Sequence, residues 1–258
     1  MSDNLKMRRF KLTTNGLRVW GLIFLIFGMI GRAIIQNVFL GIGTVTGLEL
    51  LEAMNGSESV VQYASIAIIL QVLEACAAPI FAFLLVEGFC HTHDFKAYIL
   101  RVAGVAVLSE VPFDLVQSGK LFDLGYQNPV FGLVLCLVML YFYQRYQGKE
   151  LKNVLIKLLV TAAAFLWIQM LRIQDGMPLA VLTAVIWAFR KRPMLRTFAG
   201  CLAACVCTLF SLYYMIAPIT FLAIHLYSGE RGPANKWVNY LSYPILLLVC
   251  GLAGYFMK

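Results

Sequence analysis

Residues Gln62 to Val86 read QYASIAIILQVLEACAAPIFAFLLV, 25 positions with one charged side chain, Glu74. A helix rises about 1.5 Å per residue, so this run is longer than the roughly 30 Å of hydrocarbon in a bilayer requires. The rest of the chain agrees with that reading. Of 258 residues, 61% are hydrophobic and 13% charged, and the mean hydropathy is +0.80. Soluble domains carry about a quarter charged residues. This chain therefore lacks the polar atoms to coat a water-facing surface.

Outward from this stretch, similar runs cover 17–36, 97–117, 127–146, 153–171, 176–189, 198–227 and 241–257. Together they predict an all-α, polytopic membrane helix bundle of about eight transmembrane helices, within a range of seven to nine. The whole chain, 1–258, is expected to form a single integral membrane domain. The sixth run is short, and Pro218 is expected to break the long seventh one. The first run is too long for the apolar part of a signal peptide and no clean small-x-small site follows it, so it reads as a retained span.

Charge patterning supplies sidedness. Lys and Arg in alternate connectors number 16 on one side and 4 on the other, and Arg32 lies inside the first run. By the positive-inside rule both termini, 87–96, 145–152 and 190–197 face the cytoplasm. The expected location is the cell membrane, crossed several times, as in a bacterial inner or plasma membrane. The net charge of +8 is spread over short runs between apolar stretches. That suits a lipid bilayer as partner and excludes nucleic acid, which needs a gathered basic face. The connector 37–61 holds Glu49, Glu52 and Glu58 without a basic residue, and its apolar residues suggest a short interfacial helix.

The seven cysteines lie in or beside apolar runs without a CxxC pair, so neither a disulfide framework nor a metal site is expected. Zinc-protease, serine-hydrolase and nucleotide-loop motifs are absent. The informative residues are charges near hydrocarbon: Arg32, Glu74, Glu87, Glu110, Asp114 and Asp175. Each costs at least about 2.5–3.5 kcal/mol there unless it has a partner, a cavity or a role. Glu110 and Asp114 are four apart, on one helix face about Pro112, and suit binding a cation, sharing a proton or holding a basic residue. An ion pair such as Arg32 with Glu74 is the purely structural alternative. His91 and His93 fall at the cytoplasmic edge, and His225 near the outer end of the seventh run.

The block PIFAFLLVEGFCHTHDFKAYILRVAGVAVLSEVPFDL from Pro79, followed by LFDLGYQN to Asn128, resembles the TraX family of membrane proteins. Its shared features are the Pro-led apolar run into Glu-Gly-Phe, a His-Thr, a Tyr-x-x-Arg, a Ser-Glu-x-Pro-Phe-Asp and a Gln-Asn. Weaker echoes are Gln174-Asp175-Gly176, Tyr227 to Gly232, and Tyr243-Pro244. The family takes its name from a conjugal-transfer protein linked to pilin N-acetylation. The resemblance implies a membrane acyltransferase in which a cytosolic donor, acetyl-CoA or another acyl-CoA, meets an acceptor through the bundle. It also implies departures. An Asp-His pair of the family pattern is Gly28-Met29 here, a Gly-Arg is Glu74-Ala75, and the His of the closing motif is Leu246.

Three readings follow. The first is acyl transfer to a peptide, glycan or lipid-linked acceptor. His is the commonest base for such chemistry; with Met29 and Leu246 in its place, the candidates are Glu110, Asp114, Asp175 and His91, and Arg101 and Arg231 are candidates for donor phosphates. The second is a catalytically silent relative that binds or positions a partner membrane protein or peptide. The third is a small-solute carrier using the buried carboxylates.

Overall fold

The computed structural model describes residues 12–42, 52, 57–148, 150–230, 232 and 236–258. Among the described residues the elements are helical, and the only extended pairings are isolated bridges at Leu12–Tyr227 and Gln127–Ile173. The helices are α1 (Thr14–Ile30, continuing as a π-helix over Gly31–Leu40), α2 (Glu58–Glu74), α3 (Ala77–His91), α4 (Phe95–Ser118) and α5 (Pro129–Arg145). They continue with α6 (Leu151–Met170), α7 (Gly176–Ala188), α8 (Pro193–Cys207), a 3₁₀ segment (Leu212–Ile219) leading into α9 (Thr220–His225), and α10 (Lys236–Met257). Four stretches are long and apolar enough to cross a membrane: Thr14–Leu40, Glu58–His91, Leu151–Met170 and Val238–Met257. The interfacial helix expected in 37–61 falls almost wholly outside the described residues.

Local chemistry sets the boundaries. Thr13, Asp94 and Asn128 each accept a backbone N–H from the first turn of α1, α4 and α5. The run that reads as one span at 62–86 is two helices, because Pro79 has no N–H to give the carbonyl of Ala75 and its ring crowds that carbonyl. The chain turns at Ala75–Cys76, and Cys76 N–H bonds the Leu73 carbonyl at 3.1 Å instead. The core gathers around α7, apolar on all sides and packed by α3, α5 and α8. By contrast α6 buries only Ala164 and Ile168, so its remaining face is left for lipid.

The expected seventh span needs correction. Residues 198–227 do not cross the bundle once; α8 runs in, the chain turns at Thr208–Ser211, and the 3₁₀ segment with α9 runs back along α8. Thr208 Oγ1 donates to the Cys205 carbonyl at 2.7 Å and Ser211 Oγ accepts Tyr213 N–H, so two hydroxyls satisfy backbone that the turn would leave bare. Pro218 sits inside the returning arm and does not make the break.

The hairpin reverses the sidedness of everything after it. Leu12 N–H bonds the Leu226 carbonyl, Ser228 N–H bonds the Leu12 carbonyl and Thr14 N–H bonds the Glu230 carbonyl, at 2.8–3.1 Å. His225 is therefore at the N-terminal end of the bundle, not the far end. α10 then runs parallel to α4, with Tyr240 at Arg101, Leu115 at Gly251 and Lys258 at Gly119. Thr14 and Lys258 thus lie at opposite ends, contrary to the expectation of both termini on one side.

A cross-link tests the hairpin. Thr197 Oγ1 and His225 Nδ1 are 3.0 Å apart, whereas 28 residues of unbroken helix would separate them by about 42 Å. Thr197→Cys with His225→Cys in a cysteine-free background is expected to oxidise to an intramolecular disulfide. A pair that stays reduced under oxidant, while a control pair on adjacent helices closes, would restore the single span.

Candidate functional site

A cavity of about 650 Å³ opens at the end of the bundle where His91 lies. Arg18, Glu87, His91 and Arg101 stand at its mouth, and Glu74, Asp175, Tyr214 and Tyr243 at its floor. The wall between them is apolar, with Leu25, Phe81, Leu85, Val105, Leu133 and Leu179.

Each floor residue arrives by a local device. Glu74 is the last residue of α2, freed by the break that Pro79 causes. Its carboxylate pairs with the Arg32 guanidinium from the π-helix. A π-turn holds an extra residue, so it re-aims side chains relative to the α-helix before it. A Cβ at position 28 would overlap the Glu74 carboxylate, so glycine there is what lets the carboxylate seat against α1. Asp175 precedes α7 in the left-handed region, φ 54°, and its Oδ1 accepts the Tyr214 hydroxyl at 3.0 Å. Tyr214 comes from the returning arm of the hairpin and is fully buried. Tyr243 comes from α10 and makes no hydrogen bond with its hydroxyl among the described residues. The floor therefore holds two carboxylates against one guanidinium.

The expected site residues divide. Asp175 is on the floor; His91 and Arg101 are at the mouth. His91 sits about 25 Å along the α2–α3 rod from Glu74, where its Nδ1 faces the Glu87 carboxylate at 3.4 Å. Glu110 and Asp114 share a helix face as their spacing predicts, yet neither lines the cavity. Glu110 bonds the side chain of Asn128, which in turn reaches the Ala106 carbonyl and caps α5. Asp114 Oδ2 accepts Asp123 N–H at 3.0 Å. Asp123, in the loop beyond, is held below the usual carboxylate range by the Gly125 N–H and the Ser118 side chain. These acids pin the 119–128 loop. Arg231 lies outside the described residues, although Gly229 and Gly232 on either side line the mouth.

Glu74, Tyr214, Tyr243 and Arg18 enter the site without having been assigned to it from sequence. Glu74 had a signal, a charge in an apolar run, but one read as structural pairing. Tyr214 had none, because nothing in an unbroken apolar stretch reveals a hairpin that folds back.

Comparison with known proteins places this architecture. A family model described as TraX protein matches residues 53–253. The chain belongs to the TraX family. It is also 26% identical over 197 residues, 67% of this chain and 78% of the relative, to the probable fimbrial assembly protein FimC, serogroup H1, of Dichelobacter nodosus. No solved structure matches. Against the TraX pattern, the two positions without the expected histidine turn out to be neighbours. Met29 is a member of an apolar cluster with Ala33, Phe113, Val116 and Leu247, and Leu246 packs against the same cluster. Both belong to one apolar plug that adjoins Tyr243.

The Arg32–Glu74 pair yields a stability prediction. Removing one partner of a buried pair leaves an uncompensated charge, a loss of about 3–5 kcal/mol. Glu74→Gln and Arg32→Gln are each expected to lower the unfolding temperature in detergent markedly. Arg32→Met combined with Glu74→Met should be less destabilised than either. Additive losses in the double variant would mean that the two side chains do not act as a pair.

Proposed function

We propose that this TraX-family chain is a membrane acyltransferase that works at the floor of the cavity, passing an acyl group from a cytosolic thioester to an acceptor held beside Asp175. The observation that carries this reading is the convergence of Glu74, Asp175, Tyr214 and Tyr243 at the end of one deep cleft. The acceptor amine or hydroxyl attacks the thioester carbonyl, and Asp175 takes its proton. The C–S bond then breaks, and the thiolate leaves with that proton as free thiol. Tyr214 orients the Asp175 carboxylate, the unbonded Tyr243 hydroxyl is placed to donate to the oxyanion, and Glu74 is neutralised by Arg32. Acetyl-CoA or another acyl-CoA fits as donor. The fimbrial name of the relative favours a peptide acceptor among peptide, glycan and lipid-linked ones.

Sidedness supports the cytosolic donor. Counted by the ends the fold assigns, 17 Lys and Arg fall in stretches flanking the His91 end and 3 flank the other, with Arg32 between. The bias is sharper than simple alternation gives, and by the positive-inside rule it favours a cytoplasmic mouth. The bundle then has seven crossings plus the α8–α9 hairpin, with Lys258 on the outer side of the cell membrane. A cysteine appended after Lys258 should react with a membrane-impermeant maleimide in intact cells, while Lys191→Cys should react only after permeabilisation. The opposite labelling would turn the cavity outward and remove access for a cytosolic donor.

The activity is tested with purified protein and labelled acetyl-CoA, scoring donor hydrolysis and transfer to peptide amines. Asp175→Asn is expected to lose about 10²–10⁴-fold, the range for a general base, and His91→Gln less than about tenfold. The reverse ranking would move the chemistry to the Glu87–His91 pair at the mouth. Turnover absent from wild type with every acceptor would favour the silent, partner-positioning reading, for which the apolar plug at Met29 and Leu246 speaks.

A further inference from the structure

We infer that Arg18 and Arg101 form a phosphoryl-binding pair at the mouth, spaced from the floor so that a ligand anchored there by phosphate presents its far end to Glu74 and Asp175. This rests on the acyl-transfer reading and names the handle by which its donor is held.

Both arginines line the cavity, and neither is in an ion pair among the described residues. Among the described residues the ion pairs join Arg32 to Glu74 and His91 to Glu87, so no carboxylate lies within pairing distance of Arg18 or Arg101. Arg101 spends its Nε on the Ala97 carbonyl at 2.9 Å, which fixes the side chain along α4 and leaves its terminal nitrogens free. Its guanidinium lies 5.7 Å from the centre of the Tyr240 ring. Arg18, half-buried, has Tyr98 and Tyr240 as its electrostatic neighbours, so Tyr240 links the two cations. Tyr98 reaches this position across Gly88, where a Cβ would stand 2.6 Å from its hydroxyl. The result is two guanidinium groups that share Tyr240 as a neighbour and line one cleft, at whose mouth the carboxylate, Glu87, faces His91 rather than either arginine. Guanidinium matches phosphate by paired hydrogen bonds, and it remains charged in a partly apolar site.

The depth of the cleft narrows the ligand. Gly28 faces Glu74, and Arg18 stands ten residues before it on the same helix, so the two levels are about 15 Å apart. The intervening wall is apolar and has no charged partner for a second anion. A phosphopantetheine arm bridges such a span and sets a thioester beside the carboxylates. A phospholipid can offer the same phosphoryl group, but its ester lies next to its phosphate and would remain at the mouth.

The test uses the full chain in nanodiscs of neutral phosphatidylcholine, with binding of coenzyme A and of pantetheine measured by calorimetry. Coenzyme A is expected to bind at least about tenfold tighter, since each charge-assisted contact is worth that much or more. Arg18→Gln and Arg101→Gln should each remove most of this difference while leaving pantetheine affinity and the unfolding temperature near wild type. Arg18→Lys, which keeps charge without the fork, should fall between. A parallel arm measures anionic lipid retained from phosphatidylglycerol mixtures. Arginine-dependent lipid retention without coenzyme A binding would uphold the phosphoryl pair but assign it to a headgroup. Equal affinity for coenzyme A and pantetheine, together with lipid retention unchanged in both Gln variants, would overturn the inference. Binding that needs the arginines, in a protein without turnover, would leave the pair standing and sink the acyl-transfer reading alone.

Discussion

The Arg32–Glu74 pair is the interaction on which the rest of the interior is arranged. Two ions taken from water into a low-dielectric bundle repay their desolvation only if geometry and further hydrogen bonds are good. Three backbone features supply that geometry here. The π-helix turns Arg32 inward, Gly28 clears space on α1, and the Pro79 break ends α2 at Glu74. None of these is a favourable choice for a plain lipid-spanning helix. Each becomes intelligible once a guanidinium and a carboxylate must meet between α1 and α2.

The same pair governs what Asp175 can do. With Glu74 already matched, the guanidinium offers its remaining attraction to Asp175, the second carboxylate close enough to act on it. Asp175 adopts a left-handed backbone that an L-residue avoids by roughly 1–2 kcal/mol. The bond from Tyr214 and the packing of the 171–175 loop against Gln127 hold it there. Arg172 in the same loop is also left-handed, and Asp175 stands at the N-cap position of α7 without a side-chain capping bond; strain kept beside a cavity in this way is the pattern expected where placement of a side chain matters more than stability.

Much of this was legible in the sequence, and the failures have definite causes. Hydropathy located the apolar runs because lipid imposes length and composition on any helix that crosses it. It could not separate 198–227 into two arms, since a hairpin buried in the bundle and a single span have the same composition. Only Thr208 and Ser211, three apart in an apolar run, hinted at backbone in need of partners. The sidedness of the last connector failed for an electrostatic reason: with two basic residues there and one at the C-terminus, the charge rule had almost nothing to weigh. Glu110 and Asp114 were placed correctly on one face. Their partners lie 9 and 18 residues on, at Asp123 and Asn128, and helical spacing says nothing about loops.

At the positions expected to depart from the family pattern, the space is filled by this chain's own side chains. An acid expected at position 28 is glycine, and the space is taken by the carboxylate of Glu74, where the pattern has glycine. Histidines expected at 29 and 246 are both apolar, and both replacements pack in the cluster beside Tyr243. Met29 and Leu246 thus belong to one packed apolar wall. On the acyl-transfer reading, proton transfer at the floor then belongs to a carboxylate outside that wall, and with Glu74 in an ion pair with Arg32 it is Asp175 that lines the cavity outside that pair.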